Sequence, residues 1–219
     1  NLVIIEVLAP ELLNKLRSYD GSCDYIFKCK KLVLSSSFEA TKHPMNFIDP
    51  VLLNTLNYYV DKALSGAKST CNIDKPFLFL SRQGEKRTLT NNNEISEMLS
   101  ARGFYTPDLA SLSFLDQVRL FRAANVIVAP HGSALSNIIF CMKNTVILEL
   151  FPEGYATNCF GLISVVQKLN YQYMVGVDPK SNSSSPRVLH SSSMNSILLS
   201  IQADYYIEPT VLSQWLDVN

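Results

Sequence analysis

Two short polar segments contain the residue types that bind anions, and each follows a run of apolar residues. Residues 81–87 read SRQGEKR, with three cations, and come directly after the apolar run FLFL at 77–80. His131, Gly132 and Ser133 follow the apolar run VIVA at 126–129 and Pro130. A glycine lets the backbone approach a ligand closely, and a histidine can donate a hydrogen bond to an anion. These two segments predict a site for phosphate or a similar anion.

Two further polar residues are candidates for holding a nucleoside beside that anion. Glu149 ends the apolar run that starts at Thr145, and a carboxylate can accept hydrogen bonds from both ribose hydroxyls. Asn137 lies in the segment that follows His131. Each candidate also has a structural explanation, because loop cations are usually solvated, a single histidine is often structural, Glu149 could pair with Lys143, and Asn137 could cap a loop. Their occurrence after successive strands favours a ligand site.

The elements that must position these residues follow from the spacing of apolar side chains. From about residue 74 the sequence alternates short apolar runs with helical periodicity, which is typical of βαβ units and a parallel sheet. The pattern predicts strands at 76–80, 104–105, 125–129, 145–150 and 171–177, and helices at 93–99, 114–121, 133–140, 160–169 and 210–216. Ligands of such sheets bind beyond the carboxyl ends of the strands, so the candidate residues should converge.

The beginning of the sequence has a different pattern. It predicts a strand at 31–34 and a helix opened by Asp49 and Pro50. We therefore expect residues 1–65 to be a linker or the remnant of a preceding domain, and residues 66–219 to form one Rossmann-like α/β domain.

Composition limits the classes of partner. The 219 residues include 19 Lys plus Arg and 19 Asp plus Glu, so no overall charge favours nucleic acid or an anionic membrane. No apolar run approaches the roughly 18 residues that span a bilayer, and the opening lacks a basic segment. We expect membrane association only through segments outside this sequence.

The five cysteines show no zinc spacing and are expected to be buried thiols. In an oxidising compartment, Cys23 and Cys29 could form a bridge and Asn182 could be glycosylated.

Several of these segments together resemble glycosyltransferase family 61. The resemblance runs from about Cys29 to the C-terminus. The matching segments are FLSR at 79–82 with Arg87, NE at 93–94, FLDQV at 114–118, APHGSALSN at 129–137 and ILELFP at 147–152.

The resemblance implies a GT-B fold, in which this chain is mainly the C-terminal donor-binding domain, a doubly wound parallel sheet, and residues 1–65 are a linker or the remnant of an N-terminal acceptor-side domain. It implies an inverting transfer from a nucleoside diphosphate sugar, expected to be a UDP-sugar, to a glycan or glycoprotein acceptor. No cofactor or catalytic metal is expected, and the sequence contains no Asp-x-Asp triplet. The location would be the cytoplasm in a bacterium, which we favour, or the lumen of the Golgi or endoplasmic reticulum in a eukaryote.

Each candidate residue receives a role in this hypothesis. Arg82 and Arg87 neutralise the diphosphate, while His131 and the N–H groups near Gly132 and Ser133 stabilise the leaving phosphate. Asn137 and Glu149 hold the nucleoside, with His131 and Arg87 as the catalytic pair. The general base would lie on the opposite domain. His43 and Asp49 are candidates for it, although we prefer a structural role for both.

Two other classes of function are open. The first is a module that binds a nucleotide sugar without turnover. The second is a serine hydrolase that uses Ser133, but residues 132–136 read GSALS and do not match the G-x-S-x-G turn of such enzymes.

Overall fold

The structure is a computed structural model, and it describes residues 50–66, 76–82, 87–179, 187–190, 197–198 and 204–219. The chain divides into two compact units, residues 1–68 and residues 69–219. The predicted strand at 31–34, the cysteines Cys23 and Cys29, and the glycosylation candidate Asn182 lie outside the described residues.

The described part of the first unit is one helix, α1, Pro50–Gly66. Leu53 and Val60, on the predicted apolar face, are buried. Proline at the first position of a helix loses no hydrogen bond, because the N–H there has no partner within the helix. The helix predicted after Pro50 is therefore confirmed, while its origin in a linker or a remnant domain stays a prediction.

The second unit is built on a five-stranded sheet. Its strands are β1 Phe77–Phe79, β2 Val126–Pro130, β3 Val146–Phe151, β5 Asn170–Val175 and β6 Arg187–His190, and they neighbour one another in that order. The first four pair in parallel, and β6 pairs antiparallel with β5. A separate two-stranded sheet joins β4 Tyr155–Ala156 to β7 Ile197–Leu198.

The chain reverses its direction of travel across the sheet at β1. Tyr105 forms a parallel bridge to Leu78, and its hydrogen bonds go to the Phe77 carbonyl and the Phe79 N–H. Leu80 N–H donates to the Val128 carbonyl of β2, on the other side of β1. Connections therefore leave β1 toward one edge and then cross back to β2. In open parallel sheets, a reversal of this kind opens a crevice between the two neighbouring strands whose connections lead in opposite directions, here at the carboxyl ends of β1 and β2.

Helices cover both faces of this sheet. They are α2 Asn92–Ala101, α3 Phe114–Ala123, α4 Cys159–Gln167 and α5 Pro209–Val218, with 3-10 helices at Leu109–Ser111 and Ser133–Phe140. Buried residues of α2 and α5, including Trp215, form one core cluster with Phe79, Val128 and Leu148. On the opposite face, Gly161 of α4 approaches the Tyr171 ring so closely that an added Cβ would lie 3.4 Å from it.

Local chemistry explains where these helices begin. The Ser113 hydroxyl accepts a hydrogen bond from Asp116 N–H at 3.2 Å, which caps the N-terminus of α3, and donates to the Asp116 carboxylate at 2.7 Å. The segment 133–140 is a 3-10 helix, whereas the sequence predicted only a short helix without specifying its kind. Leu135, Ile138 and Cys141 are all buried and are spaced by three, the number of residues in one 3-10 turn.

The unit is therefore a mixed α/β domain with four parallel strands, consistent with a Rossmann-like sheet. Within the described residues, no helix is both long and apolar enough to cross a bilayer.

Candidate functional site

A cavity of 560 Å³ lies at the carboxyl ends of β1 and β2, where the chain reverses across the sheet. Its lining combines residues from both predicted anion-binding segments with the start of α4: Leu80, Ser81, Arg82, Arg87, Pro130, His131, Gly132, Ser133, Ala134, Cys159 and Phe160. Among these described lining residues there are two arginines and no carboxylate. The cavity is a local positive site in a chain whose net charge is zero.

Arg82 connects the two strand ends that form the cavity. Its guanidinium donates a hydrogen bond to the backbone carbonyl of His131. An added Cβ at Gly132 would lie 3.3 Å from the Arg82 guanidinium, so only glycine leaves the arginine undisturbed. Gly132 itself has extended backbone that any residue could adopt. The glycine therefore allows the close approach of the Arg82 side chain.

The His131 imidazole is held by the buried Glu149 carboxylate, which in turn is held by the buried Tyr171 hydroxyl. Its Nδ1 lies 2.5 Å from Glu149 Oε1, and the Tyr171 hydroxyl donates to Glu149 Oε2 at 2.5 Å. Glu149 is fully buried, and this burial raises the pKa of its carboxyl, an effect that the hydrogen bonds from His131 and Tyr171 oppose. Because Nδ1 is engaged with Glu149, Nε2 is the ring nitrogen that remains for a ligand.

The structure places Glu149 outside the lining of the cavity. The carboxylate has no exposed surface, does not line the cavity, and has both oxygens occupied by protein groups. A ribose could not reach it without displacing His131 or Tyr171. Asn137 is also absent from the lining, and its side-chain amide donates to Gln117 at 3.1 Å. The two residues predicted to hold the nucleoside are thus not brought into the cavity.

Aromatic rings surround the His131 imidazole. The rings of Phe151, Tyr155 and Phe160 have centroids 5.1, 5.3 and 5.5 Å from that of His131. The Tyr155 hydroxyl lies 3.4 Å from His131 Nε2, and the Arg87 guanidinium carbon lies 4.8 Å from the centre of the Tyr155 ring. Charge interactions are stronger in such apolar surroundings than in water. The arrangement can therefore stabilise negative charge on a ligand at His131.

Comparison with known proteins identifies the family to which this site belongs. The sequence model of glycosyltransferase family 61 matches residues 4–148. The chain belongs to glycosyltransferase family 61. It is 36% identical over 66 residues to a beta-1,2-xylosyltransferase of Arabidopsis thaliana, a match covering 30% of this chain and 12% of that protein. It is 28% identical over 148 residues to the beta-1,2-xylosyltransferase XAX1 of Oryza sativa subsp. japonica, a match covering 65% of this chain and 26% of that protein. The chain therefore matches at most about a quarter of the length of either relative.

The family motifs account for the cavity but not for all of its surroundings. The segments that carried the resemblance supply Arg82, Arg87 and the turn at His131. Sequence reasoning missed Tyr155, Cys159 and Tyr171, which lie beyond the motif strings. Tyr171 lies on the same face of the sheet as Glu149, because its register partner is Ile147, and this register is known only from the structure. Burial raises the pKa of the Cys159 thiol, and the nearby Glu149 charge adds to that effect, so this cysteine is not an activated thiolate.

Several other candidates from the sequence either lie outside the described residues or have contacts that do not favour the suggested role. Gln83, Gly84, Glu85 and Lys86, and the candidate bases His43 and Asp49, lie outside the described residues. Ser133 lines the cavity, but the hydroxyl that lies beside His131 Nε2 is that of Tyr155, at 3.4 Å, which does not favour Ser133 as the nucleophile of a serine hydrolase. Among the described residues, no cluster of three or more His, Cys, Asp or Glu side chains is arranged to hold a metal ion.

Proposed function

We propose that this chain is the donor-binding part of a glycosyltransferase that moves a sugar from a nucleoside diphosphate sugar to a glycan or glycoprotein acceptor. The observation that carries the proposal is the cavity at β1 and β2, where Arg82, Arg87 and the His131 turn meet. Membership of family 61 supports the same class of reaction. Following the family resemblance, we propose an inverting reaction in a GT-B architecture, with residues 1–65 as a linker or the remnant of an acceptor-side domain.

The diphosphate is the part of the donor that this cavity fits best. Arg82 and Arg87 supply fixed positive charge, and arginine pairs well with phosphate oxygens. His131 Nε2 and the N–H groups at the start of the 3-10 helix add hydrogen-bond donors. In a transfer reaction, the bond between the sugar and the outer phosphate breaks and negative charge grows on that phosphate. Groups already oriented toward this charge lower the barrier without the need for a metal ion.

The sugar and the location are narrower proposals. Both relatives are named xylosyltransferases, so a UDP-linked xylose is the first donor to test. The base that deprotonates the acceptor is expected outside the second unit. The Golgi or endoplasmic reticulum lumen of a eukaryote, or the cytoplasm of a bacterium, stays a proposal.

Thermal unfolding with a panel of ligands tests the donor site directly. A ligand at 100 times its Kd adds about 2.7 kcal/mol to the free energy of unfolding. We expect UDP and UDP-xylose to raise the melting temperature of the full chain, with and without EDTA, and uridine to raise it much less. The matched control is the variant with both Arg82→Ala and Arg87→Ala, which should lose the response to UDP. An equal response to uridine and UDP would show that the cavity does not bind the diphosphate.

The competing function is a module that binds the donor without turnover. The position of Nε2 favours an enzyme, because a binding module has no need of a histidine supported by a buried carboxylate. Release of free sugar or its transfer from UDP-xylose, measured with EDTA present, would establish turnover. Binding without any release or transfer, under conditions where the full chain is folded, would favour the binding module.

A further inference from the structure

Tyr155 lies beside the cavity in a segment that none of the family motifs includes. The turn at 152–154 leads into it, with Gly154 at a φ of 78° and the Tyr155 N–H donating to the Pro152 carbonyl at 3.3 Å. Its backbone then pairs with Leu198 of β7. The position of Tyr155 is therefore fixed by a tight turn and by a second small sheet, independently of β1 and β2.

The ring of Tyr155 contacts one cation of the cavity. The guanidinium carbon of Arg87 lies 4.8 Å from the ring centre, within the range of a cation–π interaction. Arg87 also has a φ of 55°, a left-handed conformation that is rare for a residue other than glycine. Such conformations persist where surrounding contacts hold them, and they are frequent at ligand sites. The ring and the backbone together fix where the Arg87 charge lies.

The hydroxyl of Tyr155 approaches the second group that a phosphate would use. It lies 3.4 Å from His131 Nε2, the nitrogen that Glu149 leaves available. A hydroxyl can donate to Nε2 when that nitrogen lacks a hydrogen, and can accept from it when the hydrogen is present. One side chain thus reaches both Arg87 and His131, and these come from different strand ends.

We propose that Tyr155 is a positioning residue of the phosphate site, its ring holding Arg87 and its hydroxyl orienting His131 Nε2. The inference rests on the proposed function, since it assigns Tyr155 to the same diphosphate site. The two parts of the side chain have separable effects. The ring acts on donor affinity through Arg87, and the hydroxyl acts on turnover through His131.

Two substitutions separate these effects. Tyr155→Phe keeps the ring and removes the hydroxyl, so UDP affinity should stay within about twofold while kcat for donor hydrolysis falls roughly 2- to 10-fold, the range of one neutral hydrogen bond. Tyr155→Leu removes both, so the Kd for UDP should also rise roughly 2- to 5-fold, the range of an exposed cation–π contact. If the ring holds Arg87, UDP affinity is retained in Tyr155→Phe and reduced in Tyr155→Leu. The control is Tyr58→Leu, at an exposed tyrosine of α1.

A double-mutant cycle tests whether the ring acts through Arg87. In the Arg87→Ala background, Tyr155→Leu should weaken UDP binding no further, because the contact is already absent. Additive effects, or an unchanged Kd and kcat in both Tyr155 variants, would overturn the proposal while leaving the diphosphate site in place. If the unsubstituted full chain itself fails to bind UDP, GDP and ADP in the same titration, the proposed function and the role of Tyr155 fail together.

Discussion

Glu149→Gln is the substitution that tests most sharply how this site works. The carboxylate is fully buried and accepts from His131 Nδ1 and from the Tyr171 hydroxyl, both at 2.5 Å. Glutamine has nearly the same shape but only one acceptor oxygen and no charge. It can therefore satisfy only one of the two donors in the native way, and it removes the anion that would stabilise a protonated imidazole.

The magnitude follows from the hydrogen bonds that change. For the bond from His131 Nδ1, a charged acceptor contributes about 1.5–3 kcal/mol and a neutral one about 0.5–1.5 kcal/mol, so the loss at the imidazole is about 1–1.5 kcal/mol. We expect kcat to fall roughly 5- to 15-fold, since about 1.4 kcal/mol is tenfold in rate. The Kd for UDP should change by less than about twofold, because Glu149 does not line the cavity.

The same substitution changes how stability depends on pH. Burial raises the pKa of Glu149 above its ordinary value of 4.5, so the folded state binds this proton more tightly than the unfolded state does. The stabilising effect is complete below pH 4.5 and is lost as the pH rises through the folded pKa. Glutamine does not titrate. The free energy of unfolding of Glu149→Gln, minus that of the original chain, should therefore become more positive as the pH is raised from 4.5.

Steady-state kinetics and urea denaturation over a pH series measure both effects. The control is Glu97→Gln, an exposed carboxylate on α2, which should change neither. A raised KM with kcat unchanged would instead support the contact between Glu149 and the ribose that the sequence suggested. A stability difference that is flat with pH would show that this carboxyl does not experience the burial described here.

Three further substitutions test the cavity. Arg87→Ala should weaken UDP roughly 10-fold or more and uridine little, because it removes a charged phosphate contact; calorimetric titration showing equal losses would contradict this. His131→Ala should lower kcat more than UDP affinity, because its phosphate contact strengthens in the transition state; an unchanged rate of donor hydrolysis would make His131 structural. Gly132→Ala should weaken UDP several-fold with little change in melting temperature, because the new Cβ lies 3.3 Å from Arg82 while the backbone is extended; full affinity would show that Arg82 moves aside freely.

The sequence predicted the parts of the fold that depend on local pattern. The strand at 125–129, the helix at 114–121 and the closing helix at 210–216 were all correctly predicted, because each depends on residues close together in the chain. The small sheet of β4 and β7 was not predicted. Its strands have two residues each and are separated by forty positions of the chain, so neither carries a period that could be recognised.

The limits of prediction at the site have the same physical origin. Arg82, Arg87 and His131 were correctly brought together, because parallel strands place their carboxyl ends at one edge. For Glu149 the strand was right and the direction of the side chain was not considered. Glu149 alternates with Leu148 and Leu150, which lie in the core on the α2 and α5 face, so its own side chain lies on the opposite face, beneath His131. Sequence periodicity shows on which face of the sheet the Glu149 side chain lies. Only the structure shows that the Tyr171 hydroxyl donates a hydrogen bond to its carboxylate there.

The burial of Glu149 also supports the functional role proposed for the His131 pair. A buried ionisable pair is costly to remove from water, and replacing such a pair by apolar residues of similar volume is often neutral or stabilising. The surroundings of the pair are apolar. Ile147, two residues before Glu149, is buried, and the buried rings of Phe151 and Phe160 contact His131. Leucine at position 149 would fill this space without any charge to desolvate. A carboxylate at zero exposure, hydrogen-bonded on one side to a cavity-lining histidine and on the other to a tyrosine, is instead what is needed to hold an imidazole in one orientation. The fold thus accepts a local loss of stability at the point where the proposed leaving phosphate is stabilised.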